Sequence, residues 1–349
     1  MIINMPNTET NRIARKIEEL HQERGEAGND RVLTLIISTE KDELKEALEA
    51  ANGASREHPC RVIAVINDDG SPDSTPNQAG QTTVTTSNDV PESPVNTAHS
   101  SNVTAMAAPN ATCDVITIDP DGAATDLDAQ VRFGADAGAG EVIILQPRGG
   151  LKRHADTLVM PLLVPDIPIV TWWPTNPPAN PANDPLGAMS GRRITDAARS
   201  NNPAATFERL AANWEPQDID LAWTRITIWR AMLASMLDQP PHLPVTSVKL
   251  TGGERSLPLQ LLATWLGRQL AAPVSMEYVP DTDFITGVYL ERGDGTLSLT
   301  REHSDEAVIS QPGQKPQTVS MPLRTLEESL SEELRRIDPD EVYASVIRG

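Results

Sequence analysis

Short apolar runs alternate with amphipathic stretches along this chain, and the spacing of apolar positions switches between strand-like and helix-like. Asn7–Glu26 places Ile13, Ile17 and Leu20 at helical spacing among charged residues. Arg31–Ser38 (RVLTLIIS) is a continuous apolar run with β-branched residues, as a buried strand requires. Lys41–Ala51 returns to helical spacing, and Arg61–Ile66 is a second apolar run. Strand, helix and strand in that order predict parallel pairing with a right-handed crossover. Further strands are predicted at Val115–Ile118, Val131–Phe133, Val142–Leu145, Ile167–Trp173 and Arg193–Thr195, with short helices at His154–Leu163 and Asp184–Ser190.

Beyond residue 200 the pattern restarts. Pro203–Ala212 and Asp218–Leu237 read as helices, the second with Asp218 as N-cap. Val245–Leu250 reads as a strand and Ser256–Leu270 as a helix. Val274–Val279, Gly287–Glu291, Thr296–Thr300 and Ala307–Ser310 read as short strands, the middle two joined by the hairpin signal Gly293-Asp294-Gly295. Leu323, Leu326, Leu330, Leu334 and Ile337 form a helical stripe. Asp338-Pro339-Asp340-Glu341 then predicts the start of a last helix, with a cap, Pro at the first position and acids in the first turn. The expected fold is α/β in two domains, 1–200 and 201–349, each a mostly parallel or mixed sheet flanked by helices.

Two stretches interrupt the pattern. Residues 68–112 hold five Pro, many Ser, Thr and Asn, and no Lys or Arg. Such a composition lacks the apolar content to offset its ordering entropy, so a disordered, dispensable insertion is expected. Pro174–Pro185 contains five prolines and cannot be regular structure. It follows a strand, and open α/β sheets bind ligands beyond the carboxyl ends of their strands.

Net charge narrows the partners. At −20, the chain lacks the clustered cations that nucleic acid or an anionic membrane would require. Cys60 and Cys113 are its two cysteines, which suggests a reducing compartment and no disulfide framework. Met1–Pro6 lacks the basic and apolar regions of a signal peptide, and no run approaches the length of a membrane span. A cytoplasmic protein without metal or cofactor is expected.

Candidate chemistry is sparse. Within Asp218–Leu237 the apolar face carries Trp223 and Trp229, with Arg230 inside it and Arg225 at its edge. A guanidinium there needs an anion: a phosphate, a partner's carboxylate or, more commonly, an internal acid. Thr251-Gly252-Gly253 leads from a strand towards Ser256 at a helix start, a possible anion site or a plain turn. Gly134–Gly140 lacks G-x-G-x-x-G spacing and precedes a strand, so it is not a dinucleotide loop. Ser55, His58 and Cys60 sit in no nucleophile elbow and read as a helix-to-strand turn.

Five ordered segments carry a resemblance: ASREHPCRVI (54–63), Trp172-Trp173-Pro174, RRITD (192–196), WTRITIWR (223–230) and EELRRIDPD (332–340). Together they resemble the glucose-6-phosphate dehydrogenase assembly protein family, OpcA. The resemblance implies a non-catalytic protein that binds glucose-6-phosphate dehydrogenase and promotes its active oligomer. The motif residues it carries over are Ser55, Arg56, His58 and Pro59; Trp172, Trp173 and Pro174; Arg193 and Asp196; Trp223, Arg225, Trp229 and Arg230; and Asp338, Pro339 and Asp340. A surface Trp or Arg is expected to anchor the partner, with Trp173 and Arg193 the choices. The competing reading is a sugar-phosphate enzyme, lactonase or isomerase, using Arg225, Arg230 and the Thr251–Ser256 turn.

Overall fold

Alternation inside the apolar runs decides which layer each side chain joins. Leu35 and Ile37 enter one core cluster and Ile36 the other; Val62, Ala64 and Ile66 join the first, Ile63 and Val65 the second. A run apolar at every position is therefore a strand buried on both faces. The computed structural model describes residues 1–24, 31–67, 115–117, 126–134, 140–301 and 305–348. The expected insertion at 68–112 lies outside the described residues.

The first sheet contains β1 (Ile2–Met5), β2 (Leu33–Thr39), β3 (Cys60–Ile66), β4 (Val115–Thr117), β5 (Leu127–Phe133), β6 (Glu141–Pro147), β7 (Ile169–Trp173), β8 (Arg192–Thr195) and β9 (Asp218–Asp220). Their spatial order is β4-β1-β5-β6-β3-β2-β7-β8-β9. Strands β6 through β9 in that order run parallel, while β5 is antiparallel to both β6 and β1. Helices α1 (Thr10–Arg24), α3 (Ala155–Val159) and α4 (Pro185–Ala188) cover one face, and α2 (Leu44–Ala54) packs on the other. β1 has no counterpart in the sequence reading; four residues beside Pro6 are too short to show a period.

Four further helices, α5 (Pro203–Ala212), α6 (Leu221–Thr224), α7 (Thr227–Leu237) and α8 (Leu257–Leu270), lie in the second half. The second sheet comprises β10 (Val245–Gly252), β11 (Val274–Tyr278), β12 (Ile285–Arg292), β13 (Gly295–Thr300), β14 (Glu306–Ser310) and β15 (Gln317–Ser320), in the order β11-β10-β12-β13-β14-β15. The expected hairpin joins β12 to β13, and Gly295 takes φ +129°, which only glycine adopts without strain. Helices α9 (Leu326–Arg335) and α10 (Glu341–Ile347) close the chain. One apolar cluster runs from the α2 face of the first sheet through α6–α10 into β10, β12 and β13.

Two predicted caps are corrected. Residues 218–237 are not one helix capped by Asp218. Asp218 lies in a strand, its carboxylate taken by Arg193 and by the Glu215 amide, and Asp220 caps α6 through the Ala222 amide. Asp338 likewise is not the last N-cap. Arg192 takes its carbonyl, and Asp340 caps α10 through the Tyr343 amide at 2.8 Å. The Leu323–Ile337 stripe contributes only α9, which starts at a Thr325/Glu328 capping box.

Candidate functional site

Beneath the first sheet's far edge, α6, α7 and the stretch from α9 into α10 enclose a cleft of about 830 Å³. Three of the five segments line it: Arg192 from β8, Trp223 and Arg230 from the α6–α7 region, and Glu332 through Asp340. A fourth reaches its border, where Glu57 accepts from Ser331 at 2.7 Å and meets Arg335 at 3.5 Å.

The floor is a chain of charge-assisted contacts. Arg192, 1% exposed, donates to Glu333 at 2.7 Å and to the Asp338 carbonyl at 3.1 Å. Thr224 donates to the other Glu333 oxygen at 2.7 Å. Burial pushes the Glu333 carboxyl upward, and Arg192 opposes that shift. Trp223 donates its Nε1–H to Asp340 at 2.9 Å and stacks obliquely on Tyr343. Arg230 lies 3.8 Å from the centre of the Trp223 ring and donates to Thr227 at 3.1 Å. Burial lowers the Arg230 guanidinium, while Asp340, Glu332 and Glu333 raise it. It makes no direct ion pair among the described residues, and its Nε is unpartnered. Arg335, Arg336, Asp338, Pro339, Glu341 and Val342 form an exposed rim.

Behind the cleft, Arg225 grips the fully buried Asp196 with two hydrogen bonds of 2.7 and 2.6 Å. Asp220 accepts from Thr195, Ala197 and Ala222. Burial, reinforced by the Asp196 carboxylate, pushes Asp220 up to about 6. The internal acid is therefore the answer for Arg225, but not for Arg230.

Several expected residues lie elsewhere. Trp173 and Arg193 are 2% and 5% exposed, so neither presents a surface to a partner. Trp172 and Trp173 are both core, on adjacent positions of β7, and Pro174 is buried behind them. Arg193 is consumed by Asp218 and Glu215. Trp229 faces the opposite side of α7 from the cleft. Ser55 donates to the Ala51 carbonyl at 2.7 Å and lies 3.0 Å from the Cys60 sulfur, making the expected helix-to-strand turn. Burial pushes the Cys60 thiol up to about 11. Arg56 is exposed, while His58 and Pro59 are half-buried.

The Thr251–Ser256 turn is explained by close backbone approach. A Cβ on Gly252 would sit 2.7 Å from the Phe284 carbonyl oxygen, and one on Gly253 would collide with that of Thr282. Ser256 caps α8 through the Leu259 amide, and Thr251 bonds Thr286 at 2.7 Å. Gly134 and Gly140 bracket the connection between antiparallel β5 and β6, a setting no dinucleotide fingerprint uses. The Pro174–Pro185 loop does lie beyond the carboxyl ends of β2 and β7, but Asn176 bonds Glu40 at 2.8 Å and Thr175 bonds Glu43, holding its start against an acidic turn. Arg192, Thr224 and Glu333 were missed as site residues, although they lie inside three of the five segments; Asp220 gave no sequence signal. Among the described residues no group of His, Cys, Asp or Glu could hold a metal ion, and no helix is long and apolar enough to cross a membrane.

Fold and cleft define a two-sheet α/β protein whose halves share one apolar cluster, with ion pairs such as Arg192–Glu333 beside it. Family profiles then place the chain. Residues 104–212 match the glucose-6-phosphate dehydrogenase subunit N-terminal domain, and residues 216–347 match the corresponding C-terminal domain. The chain belongs to the glucose-6-phosphate dehydrogenase assembly family. Segment 54–63 lies outside the matched stretches, and the other four lie within them. The comparison with curated proteins gave no match. Among solved structures, a variant of KijD10, a 3-ketoreductase from Actinomadura kijaniata, is similar at 10% identity and a TM-score of 0.42, over 91% of this chain and 94% of that one.

Proposed function

We propose that this protein is a non-catalytic partner of glucose-6-phosphate dehydrogenase that binds the enzyme and favours its active oligomer, in the cytoplasm. The observation that carries the reading is the convergence of separate motif segments on one cleft, within a chain of this family. The cleft floor is fixed by the Arg192–Glu333 pair and by the Trp223 hydrogen bond to Asp340, which suits a preorganised docking surface. Arg230 and the exposed Arg336, neither in an ion pair among the described residues, can meet a partner's carboxylates, and the rim around Arg336 and Val342 supplies contact area. A protein that binds one oligomeric state preferentially shifts the population towards it.

The sugar-phosphate enzyme's expected site does not assemble. Arg225 and Ser256 border one cavity, but Arg225 is committed to Asp196, Arg230 opens into a different cavity, and the paired glycines are filled by backbone. The test is dehydrogenase activity in native lysate depleted of this chain, then restored with wild type or with Arg336→Glu/Val342→Asp. Restoration by wild type and not by the rim variant is expected. Full activity after depletion would refute the proposal.

A further inference from the structure

On the other side of α7 from the cleft lies a second cavity of about 110 Å³, lined by Arg225, Trp229, Ser256, Asp283, Arg301 and Arg324 among others. It exceeds the roughly 10–15 Å³ that admits one water and falls well below the roughly 300–1,000 Å³ of small-molecule sites. Its size suits a single compact polar group.

Arg301 is the unexplained residue. It is 6% exposed and makes no ion pair with any described residue. One guanidinium nitrogen donates to the Met321 carbonyl at 2.8 Å, and the group lies 5.2 Å from the Trp229 ring centre. Its Nε is buried without a partner. A buried cation with unsatisfied donors is costly unless an anion completes it. The other two arginines contrast with it. Arg225 is held by Asp196 and Arg324 by Glu332, yet the arginines line the cavity and their carboxylates do not. The first turn of the 14-residue helix α8 also borders the space, presenting the positive end of its dipole. Among the described lining residues the opposing charge is Asp283, which is exposed.

We propose that this cavity is an oxyanion site, in which Arg301 binds inorganic phosphate or the phosphoryl end of a phosphate ester. The site is independent of the proposed dehydrogenase contact, since it faces away from the cleft. Arginine suits the role because its planar fork matches phosphate oxygens. The cavity admits the phosphoryl group and leaves any attached carbon skeleton at the mouth, beside Asp283.

The test is thermal unfolding and calorimetric titration of the full chain with inorganic phosphate, with glucose 6-phosphate and with chloride at matched ionic strength. Phosphate should give a saturable rise in unfolding temperature that chloride does not reproduce. Equal affinity for the ester marks the phosphoryl group alone as the ligand, and tighter ester binding marks a phosphorylated metabolite; both support the site. Arg301→Gln should weaken binding by about tenfold or more, as loss of a charge-assisted contact implies. Asp283→Asn, at an exposed position that should not disturb folding, should tighten it several-fold by removing like charge. No saturation up to about 20 mM, far above the range of a useful site, overturns the proposal. So does a response equalled by chloride. If Arg301→Gln does not fold, unchanged affinity in Asp283→Asn overturns it as well.

Discussion

Replacing Arg225 by methionine removes the counterion of a carboxylate that has no solvent to fall back on. Asp196 is 0% exposed and takes both hydrogen bonds of its pair from Arg225. Breaking a buried pair from one side typically costs about 3–5 kcal/mol. The Arg225 side chain is 21% exposed, so solvent screening places the expected loss nearer about 3 kcal/mol at pH 7.5. Asp220 adds a pH dependence. Its folded value of about 6 against 3.8 corresponds to roughly 3 kcal/mol. Because that value is raised, the penalty is absent at low pH, grows as pH climbs from about 4 to about 6, and is complete above it. Removing the nearby guanidinium should move Asp220 further up. The variant should therefore lose more stability at pH 7.5 than at pH 5, by about 1 kcal/mol or more. Urea unfolding at the two pH values measures this directly. An Asp196→Asn/Arg225→Met double variant should recover most of the loss, since it removes the orphaned Asp196 carboxylate and with it the like charge that raises Asp220. Equal losses at both pH values, or a loss below about 1 kcal/mol, would refute the reasoning.

Three further outcomes are expected. Gly253→Ala should destabilise by about 1–3 kcal/mol in urea unfolding, because its Cβ would collide with the Thr282 carbonyl; a neutral effect would mean the 282–284 loop yields freely. In a Cys113→Ser background, folded protein should react with a thiol reagent at pH 8 about a hundredfold more slowly than unfolded chain, because burial keeps the Cys60 thiolate scarce; equal rates would contradict that burial. Glu141→Gln should cost about 3–5 kcal/mol, because the buried carboxylate receives Arg31, Arg61 and His21 together; stability within 1 kcal/mol of wild type would show the cluster to be dispensable.

The parts of the fold legible in the sequence were those decided locally. β2 and β3 announced themselves because strands buried on both faces need apolar residues at every position, and Gly293-Asp294-Gly295 needs no tertiary help to turn a chain. Elements decided by distant partners were not legible. Residues 218–220 share helical spacing with residues 221–237, yet Arg193 and β8 draw them into the sheet. Arg192 settles the path at Asp338 from 146 residues away. The site divided the same way. The segments that gather at the cleft stood out by their resemblance to a family, and a guanidinium on an apolar helix face signalled chemistry at Arg225 and Arg230. Trp173 and Arg193 were misplaced as surface anchors because strand alternation cannot reveal a sheet face covered by other layers. Arg301 carried no signal at all, since its isolation depends on which acids fail to reach it.

The central claim is direct binding to glucose-6-phosphate dehydrogenase through the cleft. Its most direct test is size-exclusion chromatography of the two pure proteins at micromolar concentration, with dehydrogenase activity measured across the eluted peak. Wild type should co-elute with the enzyme in a larger species of higher specific activity. Arg336→Glu/Val342→Asp should elute apart, while Met160→Asp, exposed on the opposite face of the first sheet, should behave as wild type. Separate elution of the wild-type chain with activity unchanged, with and without glucose 6-phosphate and NADP, would contradict the account.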